Sequence, residues 1–430
     1  MKATAVLNQF LKRLILNAVS LIVLLFLSVN GFSQPGQAND ELVLPKGFTS
    51  IVVANNLGQG RHIAINDNGD MYVILYRLKD KKGIVALRDT DNDGKADVIR
   101  YFGRYAGTGI GIQDGYLYVG ADADTMVVRY KLRQGELLPD TTCEVVVSGF
   151  LKNRQHGMKS ITFDNENNLY VNVGAPANAC QDPDRTLHTP GMAPCPLLQS
   201  FAGIWRFKAD KLGQVQMKDG YRYATGLRNC VALRWNPIAN HLYAVQHGRD
   251  QLHEFWPEYF TEDDGVTKPA EEFFLLTDGS DCGWPYCYFD PFLNKKMVAP
   301  EYGGDGKTVD KTGKQLPIMA FPAHYAPNDL LFYTGKQFPE YYHKGAFIAF
   351  HGSWNRAPQE QKGYNIVFVP FRGELPSGGW EVFADNFAGV PVIKSPRDAM
   401  SRPCGLAIGP DGSMYVVEDT KGKLWKISYH

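Results

Sequence analysis

Apolar and polar positions alternate along this chain in short bursts, and the bursts recur. Five segments share one pattern: IAINDNGDMYVIL from Ile63, IGIQDGYLYVGAD from Ile110, ITFDNENNLYVNVG from Ile161, LRWNPIANHLYAVQ from Leu233 and LAIGPDGSMYVVED from Leu406. Each reads as a strand with period-two alternation, a turn rich in Asp, Asn or Gly, and a second strand bearing an aromatic residue. That aromatic is a tyrosine every time: Tyr72, Tyr118, Tyr170, Tyr243 and Tyr415. A sixth unit without the Asn-Gly turn runs through GAFIAFHGSW and YNIVFVPF. The units are spaced from about 46 residues upward, and almost no stretch carries a helical period.

Four-stranded units at this spacing predict an all-β fold, a six-bladed β-propeller of antiparallel blades. A small sheet cannot cover both of its faces, and radial stacking covers them without leaving long free edges. The strand 48–54 is expected to lie beside 424–429 and close the ring. A pair of β-sandwiches is the competing architecture, but it leaves six alike units unexplained. Residues 182–194, 258–268 and 290–314 interrupt the pattern and are expected as loop insertions on one face, where insertions commonly build or cover a site.

The chain opens differently. Lys2, Lys12 and Arg13 precede an apolar run over 14–29, and small and polar residues follow in Asn30-Gly31-Phe32-Ser33. This reads as a secretory signal over 1–33, cut near Ser33–Gln34, then a short linker over 34–43 and the propeller over 44–430. An uncleaved helix is the competing reading, and the run is short for one. A secreted, periplasmic protein with no membrane anchor after cleavage is expected. The chain is 44% hydrophobic and 21% charged, with a formal net charge of zero, which becomes −3 once the three cations of the signal are gone. That balance argues against non-specific binding to nucleic acid or to anionic membranes.

Seven cysteines suit an oxidising compartment and leave one over. Cys180 and Cys195 bracket a loop that a disulfide would tie down. Cys282 and Cys287 flank Gly-Trp-Pro-Tyr and could close a tight loop. Cys143, Cys230 and Cys404 stay unassigned. There is no CxxC pair and no haem-attachment CxxCH.

Several residue groups could carry chemistry. In RDTDNDGKAD, Asp89, Asp91 and Asp93 alternate ahead of Gly94, and Asp97 follows. Oxygen ligands at that spacing suit a structural calcium ion. An EF-hand is excluded, because its twelfth position is Arg100. An Asx-rich hairpin turn is the plain alternative. GTGIGIQDG, from Gly107, has no following helix and is a propeller turn rather than a phosphate loop. His156 precedes an inner strand, where a neutral imidazole facing the channel could take a proton; a hydrogen-bonded turn histidine is the plain alternative. Arg228-Asn229, Arg402 and Arg61 each precede an inner strand and should converge on one mouth of the channel. Converging arginines favour an anion, unless they are rim charges or inter-blade ion pairs. In FHGSWNR, His351 and Ser353 lack a nucleophile elbow. Trp354 could stack on a flat ring whose carboxylate Arg356 pairs.

The runs YATGLRN, GWPYCY, APNDLLFYTG, HGSWNR and RPCGLAIGPDGSMYVVEDTKGKLWKI resemble the glucose/sorbosone dehydrogenase family, most nearly its L-sorbosone dehydrogenase-like branch. The resemblance covers roughly residues 44–429. It implies a secreted six-bladed propeller that uses pyrroloquinoline quinone (PQQ) and calcium to oxidise a sugar. It implies His156 as the base, Arg228, Asn229 and Arg402 as cofactor-binding residues, and the carbonyls of Gly248 and Arg249 as calcium ligands. Arg61, Lys159, His351, Trp354 and Arg356 are further cofactor-binding candidates. The expected partners are a sugar and an external electron acceptor, a quinone or cytochrome c. The chain departs from the family's pattern in having His156-Gly-Met-Lys159 for His-x-x-Arg and Gln246-His-Gly-Arg-Asp250 for Asn-Glu-Arg-Asp. No residue near 350–356 matches the cofactor-binding lysine of the glucose dehydrogenase branch. A calcium-dependent sugar lactonase and a non-catalytic carbohydrate-binding propeller are the alternatives.

Overall fold

Each sequence repeat folds around one four-stranded antiparallel sheet, two of these sheets gain a short parallel fifth strand, and the six together make a β-propeller. The computed structural model describes residues 41–153 and 155–430. The expected signal segment and the first part of the linker lie outside the described residues. The inner strands of the six blades are Gly60–Ile65, Gly107–Gln113, Ile161–Phe163, Ala232–Asn236, Pro327–Phe332 and Pro403–Ile408. The sixth blade is completed by the start of the chain. Phe48–Ala54 pairs antiparallel with Leu424–Tyr429, with Phe48 opposite Tyr429 and Val52 opposite Trp425. The chain joins the fold just ahead of position 44: Leu42 is buried and Val43 bridges Asp385.

Middle strands such as Asn168–Val173, Ala346–Phe350 and Asn365–Val369 are buried at every position. Both faces of each blade are covered by its neighbours, which is why apolar runs replace strict alternation in these strands. Six hydrophobic clusters occupy the six blade interfaces. Tyrosines from the second strands reinforce three of them. Tyr72 Oη donates to the Leu137 carbonyl at 2.9 Å, Tyr118 to that of Ala209 at 2.9 Å and Tyr243 to that of Glu374 at 2.7 Å. Each of these bonds reaches the following blade, so the recurrent tyrosine combines apolar burial with a satisfied hydroxyl. Tyr170 instead donates to Asp164 in its own blade's turn, at 3.0 Å.

The three insertions pack on one another. Gly191 N donates to the Glu301 carbonyl at 2.9 Å, His188 Nε2 lies 2.9 Å from Glu258 Oε2, and Lys268 Nζ pairs with Asp290 at 3.0 Å. The Cys180–Cys195 disulfide pins the first insertion. Cys282 and Cys287 do not pair: both are free thiols, buried in the packing around the third insertion.

Phe48 packs edge-on against Phe338 and Phe383, with centroids 4.8 and 5.0 Å away, and so ties the closing strand to blade 5. We expect Phe48→Ala to destabilise the protein by about 3–5 kcal/mol in urea unfolding. A loss below about 1 kcal/mol would mean that the closing strand is not needed for the ring's stability.

Candidate active site

In an antiparallel blade, the loop entering the first strand and the loop joining the second to the third lie at the same end. Six blades therefore bring twelve loops to one end of the channel. A cavity of about 270 Å³ opens there, lined among others by His156, Arg228, Asn229, Asp250, Glu271 and Trp354.

Its electrostatic centre is Arg228 with Asp250. Arg228 Nη2 donates to Asp250 Oδ2 at 2.7 Å and to Asn178 Oδ1 at 3.0 Å, while Nη1 donates to the Gly248 carbonyl at 2.8 Å. Arg185, from the disulfide-pinned insertion, reaches the same Asp250 oxygen at 2.8 Å. Asn355 donates to the other oxygen at 2.9 Å. Burial alone would raise the Asp250 pKa, but Arg228, Arg185 and His324 outweigh it and hold the carboxyl well below its usual range. Glu271 behaves oppositely: burial pushes it up to about 8, although it accepts the Gly248 and Ala326 N–H groups.

His156 sits at a backbone φ of 52° and its Nδ1 lies 2.7 Å from the Ala175 carbonyl. A carbonyl can only accept, so Nδ1 carries the proton and Nε2 is left with its lone pair. Burial, followed by the Arg228 charge, pushes the imidazole pKa well below 6.5. The ring is neutral at physiological pH and can take a proton.

A second network crosses blades 5, 6 and 1. Asp419 pairs with Arg61 at 3.0 Å and with His351 Nε2 at 2.9 Å. Arg402 donates to the His351 and Gly352 carbonyls at 3.0 and 2.7 Å. The arginines thus converge, as their sequence positions suggested, but the buried ones bring their own carboxylates. Within these two networks three donors are buried and unpaired: Nε of Arg228, Nδ2 of Asn229 and Nε of Arg61. Asn172 donates to Asn229 Oδ1 at 3.1 Å, which fixes the amide with its Nδ2 unspent.

Other sequence candidates stand apart. Lys159 is only 1% exposed and donates to the Gly157 carbonyl at 2.7 Å, inside the turn that carries His156. Arg356 is spent on the carbonyls of Val266, Ala323 and Glu360, which hold neighbouring loops. Trp354 is 56% exposed at the cavity rim. Ser353 is fully buried and donates to Gln361, so it is no nucleophile.

The calcium candidates fall in two places. The Gly248 carbonyl accepts from Arg228, and the Arg249 guanidinium is paired with Glu301. With Asp250 also committed to cations and an amide, neither the Gly248 carbonyl nor the Asp250 carboxylate is open to calcium in this geometry. On the outer turn of blade 1, carboxylate oxygens of Asp89, Asp91 and Asp97 lie within 4.8 Å of one another, without Asp93, and all four acids accept hydrogen bonds within the turn.

Sequence reading did not single out Glu271, Asn178 or Arg185. Arg185 lies in an insertion without periodic pattern and Asn178 just ahead of it, and only the two cysteines flanking 181–194 hinted that the insertion is held in place.

The chain belongs to the TrAA12-like family, whose sequence model matches residues 42–430. It resembles in fold the holo form of the PQQ domain of a Coprinopsis cinerea pyranose dehydrogenase, with a TM-score of 0.71 at 19% identity over 91% of this chain and 98% of that one. It likewise resembles a calcium structure of a Trichoderma reesei Carbohydrate-Active Enzymes Family AA12 protein, with a TM-score of 0.74 at 19% identity over 94% of this chain and all of the other. In sequence it is 28% identical over 238 residues to the Coprinopsis cinerea PQQ-dependent pyranose dehydrogenase, a match over 47% of this chain and 30% of that enzyme's length.

We expect Asp250→Ala to cost about 3–5 kcal/mol in urea unfolding, because it strands two buried or half-buried guanidinium groups. A cost below about 1 kcal/mol would show that Arg228 and Arg185 do not depend on this carboxylate.

Proposed function

We propose that this protein is a PQQ-dependent dehydrogenase that oxidises an aldose or sugar aldehyde, sorbosone-like in class. The observation that carries the reading is a neutral, oriented His156 beside the unpaired donors of Arg228 and Asn229. A flat polycarboxylate matches those donors, since buried N–H groups call for acceptors. The family membership and the PQQ-binding relatives support the same assignment.

Bound PQQ would supply the two-electron acceptor that takes the hydride from the sugar carbon. Arg228, Asn229, Arg61 and Arg402 would hold it by its carboxylates and carbonyls, with His351 bracing Arg61 through Asp419 and Arg402 through its own carbonyl. His156 Nε2 takes the proton of the reacting hydroxyl, and the Ala175 carbonyl keeps the ring in the required tautomer. Trp354 at the rim would cover the ring system and exclude water. Lys159 and Arg356 act from behind, holding the His156 turn and the loop after Trp354. Calcium is proposed at the Asp89–Asp91–Asp97 turn alone, as a structural ion with no step assigned to it, because the Gly248 carbonyl and Asp250 are already committed to donors. Oxidation outside the cytoplasm, in the periplasm, fits the expected signal segment, and a quinone or cytochrome c would collect the electrons. Among the described residues no helix is long and apolar enough to cross a membrane.

Calorimetric titration of the purified chain with PQQ, with and without calcium, tests the cofactor. Binding that weakens in Arg228→Ala is expected, and absence of binding under both conditions overturns the proposal. His156→Ala should keep PQQ binding while sugar-dependent dye reduction falls by about 10²–10⁴-fold. Because the His156 pKa is lowered, its base form persists as pH falls through 6.5. The kcat/KM profile should therefore stay flat through 6.5 and decline only below it; a midpoint at or above 6.5 would remove His156 from the base role.

A further inference from the structure

A second cleft, of about 410 Å³, adjoins the first. The two share His156 and Met158, so the base stands between them. The first is lined by Arg228 and Asn229, two of the residues assigned to the cofactor, which leaves the second as the place for the sugar. Its far wall comes from blades 1 and 2: Tyr76, Arg77, Leu78, Arg104 and Asp124.

The state of the two arginines is informative. Neither Arg77 nor Arg104 has an ion pair with an acid among the described residues, whereas every arginine of the cofactor cavity is committed to a carboxylate or to carbonyls. Tyrosine rings position them instead. The Arg77 guanidinium lies 5.8 Å from the Tyr76 ring centre, and the same ring carries Arg61 at 5.2 Å. Arg104 lies 4.9 Å from the ring of buried Tyr105 and donates to its hydroxyl at 2.6 Å. A guanidinium stacked on a ring keeps its charge and most of its fork of donors while losing mobility. Two such forks beside a catalytic base are arranged for a planar anion. The acids of this wall do not cancel them. Asp122 is occupied by the Lys159 N–H and the Thr108 hydroxyl, at 2.8 and 2.7 Å. Asp124 is exposed and is the one acid of the wall left to accept sugar hydroxyls. Tyr76, 45% exposed, and Leu78, 49% exposed, offer an apolar surface for the C–H face of a pyranose.

We propose that the preferred substrate carries a carboxylate: a uronic acid, free or at the reducing end of an oligosaccharide, bound by Arg77 and Arg104 with its anomeric carbon toward His156. This rests on the dehydrogenase reading and names its substrate class. The reaction balances as an ordinary dehydrogenation. The C1 hydroxyl proton passes to His156, the C1 hydrogen leaves with its electron pair to the quinone, and a C1 carbonyl forms, giving a lactone that still bears the acid.

The test uses D-galacturonate and D-galactose, which differ only at C6, titrated calorimetrically into the full chain and into the Arg77→Gln/Arg104→Gln double variant. Both positions are exposed, and an unchanged thermal midpoint in the variant confirms its fold. Galacturonate is expected to bind about tenfold or more tightly than galactose at low salt, in keeping with charge-assisted bidentate pairing. The preference should collapse in the double variant and shrink at about 0.5 M salt. Equal affinities in the wild-type chain, no binding of either sugar, or a preference that survives in the double variant each overturn the proposal. PQQ titration of the same samples separates the two ideas. PQQ binding without acid preference overturns only the substrate class, and acid preference without PQQ binding overturns the dehydrogenase reading and leaves a site for acidic sugars.

Discussion

A four-stranded sheet with apolar side chains on both faces is stable only between two neighbours. Every other feature of this protein follows from that constraint. Six blades satisfy it by closing on themselves, with six apolar clusters at the six interfaces and Phe48–Ala54 completing the last sheet. Closure also fixes the position of the loops. Residues as far apart in sequence as Arg61, His156, Arg228, His351 and Arg402 reach one end of a channel only because the ring brings their blades around an axis.

The same end shows how buried cations are tolerated. A buried guanidinium without a partner is costly, and Arg228 and Arg61 are matched by Asp250 and Asp419. The matching is incomplete at single atoms: Nε of Arg228 and Nε of Arg61 are buried without a partner.

The fold was largely legible in the sequence. Five tyrosines in second strands, Asx-Gly turns and a sixth, turn-less unit yielded the blade count, and the match of 48–54 to 424–429 yielded the closure. The site was legible where residue type and position coincide, as at His156 and Arg228, just ahead of inner strands. It was opaque where a side chain's direction decides its role. Lys159 and Arg356 have the charge of cofactor ligands, yet both turn toward backbone carbonyls. Asp250 could be read only as part of a loop, because its partner Arg185 comes from an insertion, and Asn178 from the segment leading into it, whose path depends on packing against two others. The pair Cys282 and Cys287 had a suggestive spacing, but both are buried free thiols.

Ring closure by the first and last strands also has a consequence in time. The pairing of Phe48 with Tyr429 joins residues from opposite ends of the propeller, the longest-range contact such a chain can make. No earlier blade can substitute for it, so five blades can be complete while the circle is still open. Until the final strand is available, one face of blade 1 and one of blade 5 are uncovered and the Phe48–Ala54 edge is unpaired. Such an intermediate presents the surfaces through which chains associate wrongly. Folding yield in this protein is thus governed less by the strength of any blade than by how soon its end can meet its beginning.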